Sequence, residues 1–133
     1  MSRVLIVDDM PEMRSLLFRL LEHFGHEPAC AQDGEEAREI LKLAQTPFDL
    51  VLTDWQMPRM DGIALCKSIR AHEALCTLPI IMASSQCFDD EVAHALNSGA
   101  TAFLPKPFES EDLHVMINET LAHAEEDDAR HPR

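Results

Sequence analysis

Basic residues are scarce. The chain carries 11 Lys and Arg against 24 Asp and Glu, for a net charge of −13 at pH 7. Nucleic acid and anionic membrane surfaces are held by basic patches, so neither is expected as a direct partner. Long apolar runs are also missing. None approaches the roughly 20 residues that a membrane span requires, so no membrane insertion is expected. Met1-Ser2-Arg3 runs straight into an apolar stretch, which reads as the absence of a signal peptide and points to the cytoplasm. Cysteine pairs at metal or redox spacing are absent. Cys30, Cys66, Cys76 and Cys87 are scattered without a CxxC, so neither disulfides nor zinc are expected. His23, His26 and Cys30 form a local cluster of ligand types, but Gly25 and a predicted turn separate them. Glycine is limited to four residues, Gly25, Gly34, Gly62 and Gly99, each at a predicted turn or helix boundary.

What is present is an alternation of two periodicities. With 133 residues, 46% of them hydrophobic, the chain suits one domain with a proper core. Val4–Val7 is a short continuous apolar run, as in a strand buried on both faces. Met13, Leu16, Leu17, Leu20, Leu21 and Phe24 then recur at helical spacing, with Pro11 in the first turn and Gly25 after the last. The pattern repeats. Glu27–Ala31 reads as a weak strand that belongs at a sheet edge or begins at a bulge, because Pro28 cannot donate to a ladder. Asp33-Gly34 opens a helix carrying Ala37, Ile40 and Leu41. Strand Asp49–Thr53, the loop Met57–Gly62 and a helix with Leu65, Cys66 and Ile69 follow. Strand Pro79–Ala83 precedes a helix capped by Asp89 or Asp90. Strand Thr101–Leu104 precedes a helix capped by Ser110, with Leu113, Met116, Ile117 and Leu121 facing inward. The expected domain is 1–123, with a charged, frayed tail over 124–133. Strands alternating with helices imply an α/β fold with a parallel sheet, right-handed crossovers and helices on both faces.

The polar residues that end the strands carry the chemistry. Asp8 and Asp9 directly follow the first apolar run, Asp54 the third strand, Ser84 the fourth and Lys106 the fifth. Ligands of such sheets bind beyond the carboxyl ends of the strands, so all five residues belong to one rim. Clustered carboxylates repel one another unless a cation meets them. Mg²⁺ suits them, being held by one or two carboxylates, waters and a phosphate. Lys106 offers a positive charge and Ser84 a hydroxyl to phosphoryl oxygens. Asp54, single and central, is the best nucleophile, forming an acyl phosphate. Two other acid pairs, Asp89-Asp90 and Asp127-Asp128, follow no strand, so the dipeptide alone means little.

Val4-Leu5-Ile6-Val7-Asp8-Asp9, Asp49-Leu50-Val51-Leu52-Thr53-Asp54-Trp55-Gln56-Met57-Pro58-Arg59-Met60-Asp61-Gly62, Pro79-Ile80-Ile81-Met82-Ala83-Ser84, Ser98-Gly99-Ala100 and Lys106-Pro107-Phe108 together carry a family likeness. The chain strongly resembles the receiver domain of bacterial two-component response regulators, of the single-domain chemotaxis type, over about Arg3 to Leu121. The resemblance implies a flavodoxin-like, doubly wound (βα)5 fold with strand order 2-1-3-4-5. It implies that Asp54 accepts a phosphoryl group from a sensor histidine kinase or a histidine phosphotransfer protein. Asp9, Asp54 and the backbone carbonyl of Gln56 would ligate Mg²⁺, or Mn²⁺ in its place, with Asp8 acting through water. Ser84 and Lys106 would bind the phosphoryl oxygens, and the Lys106-Pro107 bond would be cis. Phe103 holds the position of a switching aromatic and, lacking a phenolic OH, either switches only by packing or is a plain core residue. Gln56 and Gln86 hold positions that tune dephosphorylation. The readout surface would be the fourth helix, fifth strand and fifth helix, acting on a protein target or a fused output domain. The protein would catalyse its own phosphorylation and dephosphorylation without being a turnover enzyme. A haloacid-dehalogenase-type phosphatase would want Asp-x-Asp after the first strand, and a flavin binder a Ser/Thr/Gly-rich loop there. The adjacent Asp8-Asp9 fits neither, and a complete acid set argues against a receiver kept only for protein contacts.

Overall fold

The computed structural model describes residues 2–130, with side chains described through Glu125. Five parallel strands alternate with five α-helices: β1 (Arg3–Val7), α1 (Pro11–His23), β2 (Glu27–Ala31), α2 (Gly34–Leu43), β3 (Leu50–Asp54), α3 (Gly62–Ala71), β4 (Ile80–Ser84), α4 (Asp89–Asn97), β5 (Ala102–Pro105) and α5 (Ser110–Arg130). The sheet order is β2-β1-β3-β4-β5, the doubly wound order expected. The strand containing Pro28 lies at an edge, where a missing N–H costs least.

Alternation along the strands sorts the core into two layers. Val4, Ile6, Leu50, Leu52, Ile81 and Leu104 pack with Leu17 and Leu21 of α1 and Leu113 and Ile117 of α5. Leu5, Val7, Val51, Ile80 and Met82 face Ala37 and Leu41 of α2, Leu65, Cys66 and Ile69 of α3, and Ala95 of α4. Because β1, β3 and β4 are covered on both faces, their sequences read as continuous apolar runs rather than alternating ones. Each fully buried Leu or Ile contributes about 1.5–3 kcal/mol, so the sheet is a rigid base for whatever its strand ends carry.

Several boundaries differ from the sequence reading, each for a local reason. β3 begins at Leu50 because the Asp49 carboxylate takes the Arg3 N–H at 2.8 Å. β4 begins after Pro79, whose carbonyl accepts from Val51 at 2.9 Å although its nitrogen cannot donate. β5 begins after Thr101, whose hydroxyl oxygen accepts the Ile80 N–H at 3.0 Å.

Asp33 and Asp61 cap α2 and α3 through the Glu36 and Ala64 N–H groups, both at 2.9 Å. The two later caps are corrected. Phe88, not Asp89 or Asp90, precedes α4, and the acids fill its first turn, where they complement the helix dipole. Glu91 reaches back to accept the Phe88 N–H at 3.3 Å. Ser110 is the first residue of α5 rather than its cap. Asp112 accepts the Glu109 N–H at 3.0 Å, and the Glu109 carbonyl accepts from Leu113 at 3.3 Å.

A short 3-10 turn, Glu73–Leu75, was not expected. Helix α5 continues across the boundary expected at 123/124 as far as Arg130. Ala, Glu and Arg there are strong helix formers that need no apolar partner. The rest of the expected tail, 131–133, lies outside the described residues.

Candidate functional site

The carboxyl ends of β1 and β3 are neighbours, paired through Val7 and Thr53. The residues that leave them are thereby brought together. Carboxylate oxygens of Asp8, Asp9 and Asp54 all lie within 4.8 Å of one another. Asp8 is buried, Asp54 half-buried and Asp9 exposed, so the group forms a cup whose outer wall meets solvent. The Lys106 ammonium lies 3.4 Å from Asp54 Oδ1 and 3.7 Å from Asp8 Oδ2. One cation thus faces three acids, an incomplete neutralisation that leaves room for a second, divalent charge.

Main-chain contacts fix this group. The Met10 N–H donates to Asp8 Oδ1 at 2.9 Å, and the Arg14 guanidinium to the Asp8 carbonyl at 2.7 Å. The Trp55 N–H donates to Asp54 Oδ1 at 2.8 Å. The Lys106 N–H donates to the Ser84 carbonyl at 2.9 Å, which ties the ends of β4 and β5. The Lys106-Pro107 bond is cis. Ser84 is buried, and its hydroxyl oxygen accepts the Gln86 N–H at 3.1 Å. Ser84 lies one residue beyond Ala83, the β4 partner of Asp54, and so stands on the same rim. Gln56 is exposed on the loop after β3. Phe103, paired with Met82 across β4 and β5, is half-buried against the α2–α4 layer of the core.

Burial pushes the Asp8 carboxyl above the ordinary carboxylate range. The Met10 N–H and Lys106 oppose that shift, while Asp54 and Asp9 add to it. The folded protein therefore binds a proton at Asp8 more tightly than the unfolded chain does. Stability falls as pH rises from the ordinary value of 3.8 to the raised one, and the full cost persists above that window. Asp8→Asn removes it. The melting temperature of Asp8→Asn minus that of the wild type, in chelator, is expected to grow across this window and then stay flat. A difference that shrinks with pH would contradict the assignment.

Sequence reasoning missed two features here. The His94 ring on α4 lies 5.8 Å from that of Trp55, so the residue after Asp54 touches the helix after Ser84. Helical phase alone, across a separation of 39 positions, gave no signal for that contact. Arg59 adopts a positive φ of 66° and pairs with Asp33, a conformation for which Arg carries no sequence signature.

The 2-1-3-4-5 sheet agrees with what comparison with known proteins finds. A model of the response regulator receiver domain matches residues 4–118. The chain belongs to that family. Chemotaxis protein CheY-3 of Vibrio cholerae is 38% identical over 112 residues, which cover 84% of this chain and 85% of that protein. A gliding motility regulatory protein of Myxococcus xanthus is 39% identical over 104 residues, 78% of this chain but 13% of that protein's length. The receiver domain of a signal transduction histidine kinase from Syntrophus aciditrophicus superposes with a TM-score of 0.84 at 32% identity, covering 92% of each chain. Receiver domains of two-component systems are signalling modules rather than turnover enzymes, and they communicate with histidine kinases and downstream targets. Among the described residues no helix is long and apolar enough to cross a membrane.

Proposed function

We propose that this receiver domain is a Mg²⁺-dependent phosphorylation switch with Asp54 as its phosphoacceptor, and that 1–123 is the switching unit. The observation that carries this reading is the convergence of Asp8, Asp9 and Asp54 within 4.8 Å, with Lys106 Nζ 3.4 Å from Asp54. A hard, oxygen-seeking divalent ion fits an all-carboxylate donor set with an exposed side. Asp9, Asp54 and the Gln56 carbonyl would hold it, Asp8 would act through water, and Mn²⁺ would serve in its place. The ion supplies charge neutralisation for the transferring phosphoryl group.

The protein's own residues do the rest. An Asp54 carboxylate oxygen attacks the phosphorus of a phosphohistidine on a sensor kinase or a phosphotransfer protein. The P–N bond breaks, its electron pair stays on the imidazole, and an acyl phosphate forms on Asp54. Lys106 pairs with one phosphoryl oxygen, and the Ser84 hydroxyl donates to another. To do so the Ser84 hydroxyl reorients within its hydrogen bond to Gln86. That movement shifts the β4–α4 loop, Phe103 follows by repacking, and the α4–β5–α5 surface changes for a protein target or a fused output domain. The shift is as large as the differential affinity of phosphoryl for the two arrangements, and no larger. With a phosphohistidine donor of that kind, the domain would act in the cytoplasm.

Trp55 follows Asp54 and touches α4 through His94, so its fluorescence reports the site. Its emission is expected to change on adding Mg²⁺, and again on adding beryllofluoride, a phosphoryl mimic. The second change should be absent without the metal. A flat response to both additions would contradict the reading.

A further inference from the structure

We infer that Asp33 and Arg59 form a latch that sets the path of the loop between β3 and α3, and so positions the Gln56 carbonyl for the divalent cation. This rests on the metal reading above and names residues outside the acid cup as positioning residues for it.

The latch is built from both ends. Asp33 is 2% exposed, and each of its carboxylate oxygens is in use. Oδ1 takes the Glu36 N–H at 2.9 Å as the α2 cap. Oδ2 takes the Arg59 Nε at 2.8 Å and the neighbouring Nη2 as well. The Glu36 N–H and the Arg59 guanidinium hold the Asp33 carboxyl below its ordinary range. A second tie runs beside the first, from the Gly34 N–H to the Met60 carbonyl at 3.0 Å. The approach is so close that a Cβ on Gly34 would stand 2.6 Å from Met60 Cγ and from Met60 O. The turn after β2 and the loop after β3 are therefore clamped at adjacent residues.

Arg59 is the centre of a tight turn closed by the Met60 N–H to the Pro58 carbonyl at 2.8 Å, and the clamp holds that turn against the β2–α2 connection. Its φ of 66° is the left-handed region, which a residue with a long side chain keeps only where its surroundings impose it. Pro58 ahead of it suits such a turn, but a positive φ at an arginine rather than at a glycine still has a cost. The ion pair with a buried carboxylate helps offset that cost. The other end of this short loop is anchored by the Gly62 N–H to the Trp55 carbonyl at 2.7 Å. Gln56 lies between the Trp55 anchor and the Arg59 latch, so the direction of its carbonyl follows from the two. Small divalent ions demand near-ideal geometry, and groups that only orient a ligand are worth about 10–100-fold in metal affinity.

Asp33→Asn keeps an N-capping side chain while removing the charge, and Arg59→Gly removes the guanidinium while tolerating the positive φ. Mg²⁺ is titrated at constant ionic strength, read by Trp55 fluorescence and by the melting temperature with and without the ion. Each variant is expected to bind Mg²⁺ about tenfold more weakly and to gain less melting temperature from it. The double variant should be no worse than either single one, because both remove the same pair. Arg59→Lys should recover part of the affinity, and Glu35→Ala, an exposed residue 4.0 Å from Arg59, should change nothing. If both variants bind Mg²⁺ within about twofold of the wild type and differ only in a uniform loss of melting temperature, the pair is structural and the inference is overturned. A wild type that binds no Mg²⁺ overturns the metal reading, and the latch with it.

Discussion

Asp54→Asn loses phosphoryl incorporation from acetyl phosphate by at least about 10²-fold, whereas Asp89→Asn keeps it. The contrast separates position from residue type. Asp54 ends β3 among two other carboxylates and 3.4 Å from a lysine ammonium. Asp89 belongs to an equally acidic stretch, but it lies exposed in the first turn of α4 and complements only the helix dipole. The asparagine amide is nearly isosteric with the carboxylate, so the fold survives. It lacks the anionic oxygen that attacks phosphorus. It also relieves the repulsion among the three acids, so Asp54→Asn should melt no lower than the wild type in chelator. Radiolabel incorporation and a melting curve check both halves. Labelling of Asp54→Asn at the wild-type level would mean that the acceptor is elsewhere.

Gly62→Ala destabilises the protein by about 1–3 kcal/mol and disturbs the acceptor strand in particular. A Cβ on Gly62 would stand 2.4 Å from the Asp54 carbonyl oxygen, 3.0 Å from Trp55 Cα and 3.2 Å from Met82 Cε. The methionine tip can move, but the Asp54 carbonyl cannot, because β3 is paired on both sides by β1 and β4. Helix α3 has to withdraw, and the Gly62 N–H then loses its 2.7 Å bond to the Trp55 carbonyl. Denaturant unfolding measures the loss, and the Trp55 emission of the folded variant should differ from that of the wild type. An unchanged midpoint would show that α3 seats on β3 more loosely than this packing implies.

The sheet and the acid cup were legible in the sequence because both follow from local patterns. Continuous apolar runs marked β1, β3 and β4, and each run ended in the polar residue that the fold delivers to the rim. Pro28 narrowed β2 to an edge or a bulge, because a missing N–H has few tolerable locations, and the structure has it at the edge. What escaped was set by tertiary geometry. Asp89 or Asp90 and Ser110 are good cap-formers, but cap position depends on where the chain turns into the helix, and that lies at Phe88, just before Asp89, and at Glu109, just before Ser110. The His94–Trp55 contact joins two elements whose phases are set by separate core faces. Arg59 could not be recognised because its partner is 26 positions away and its backbone conformation is foreign to its residue type.

Intact mass after incubation with acetyl phosphate is the most direct measurement. With Mg²⁺ present, a single phosphoryl group should appear and map to the peptide containing Asp54, and with chelator it should not. No added mass, a phosphoryl group on another residue, or incorporation that persists without divalent metal would contradict the assignment of Asp54 and its acidic neighbours as a metal-dependent phosphoacceptor site.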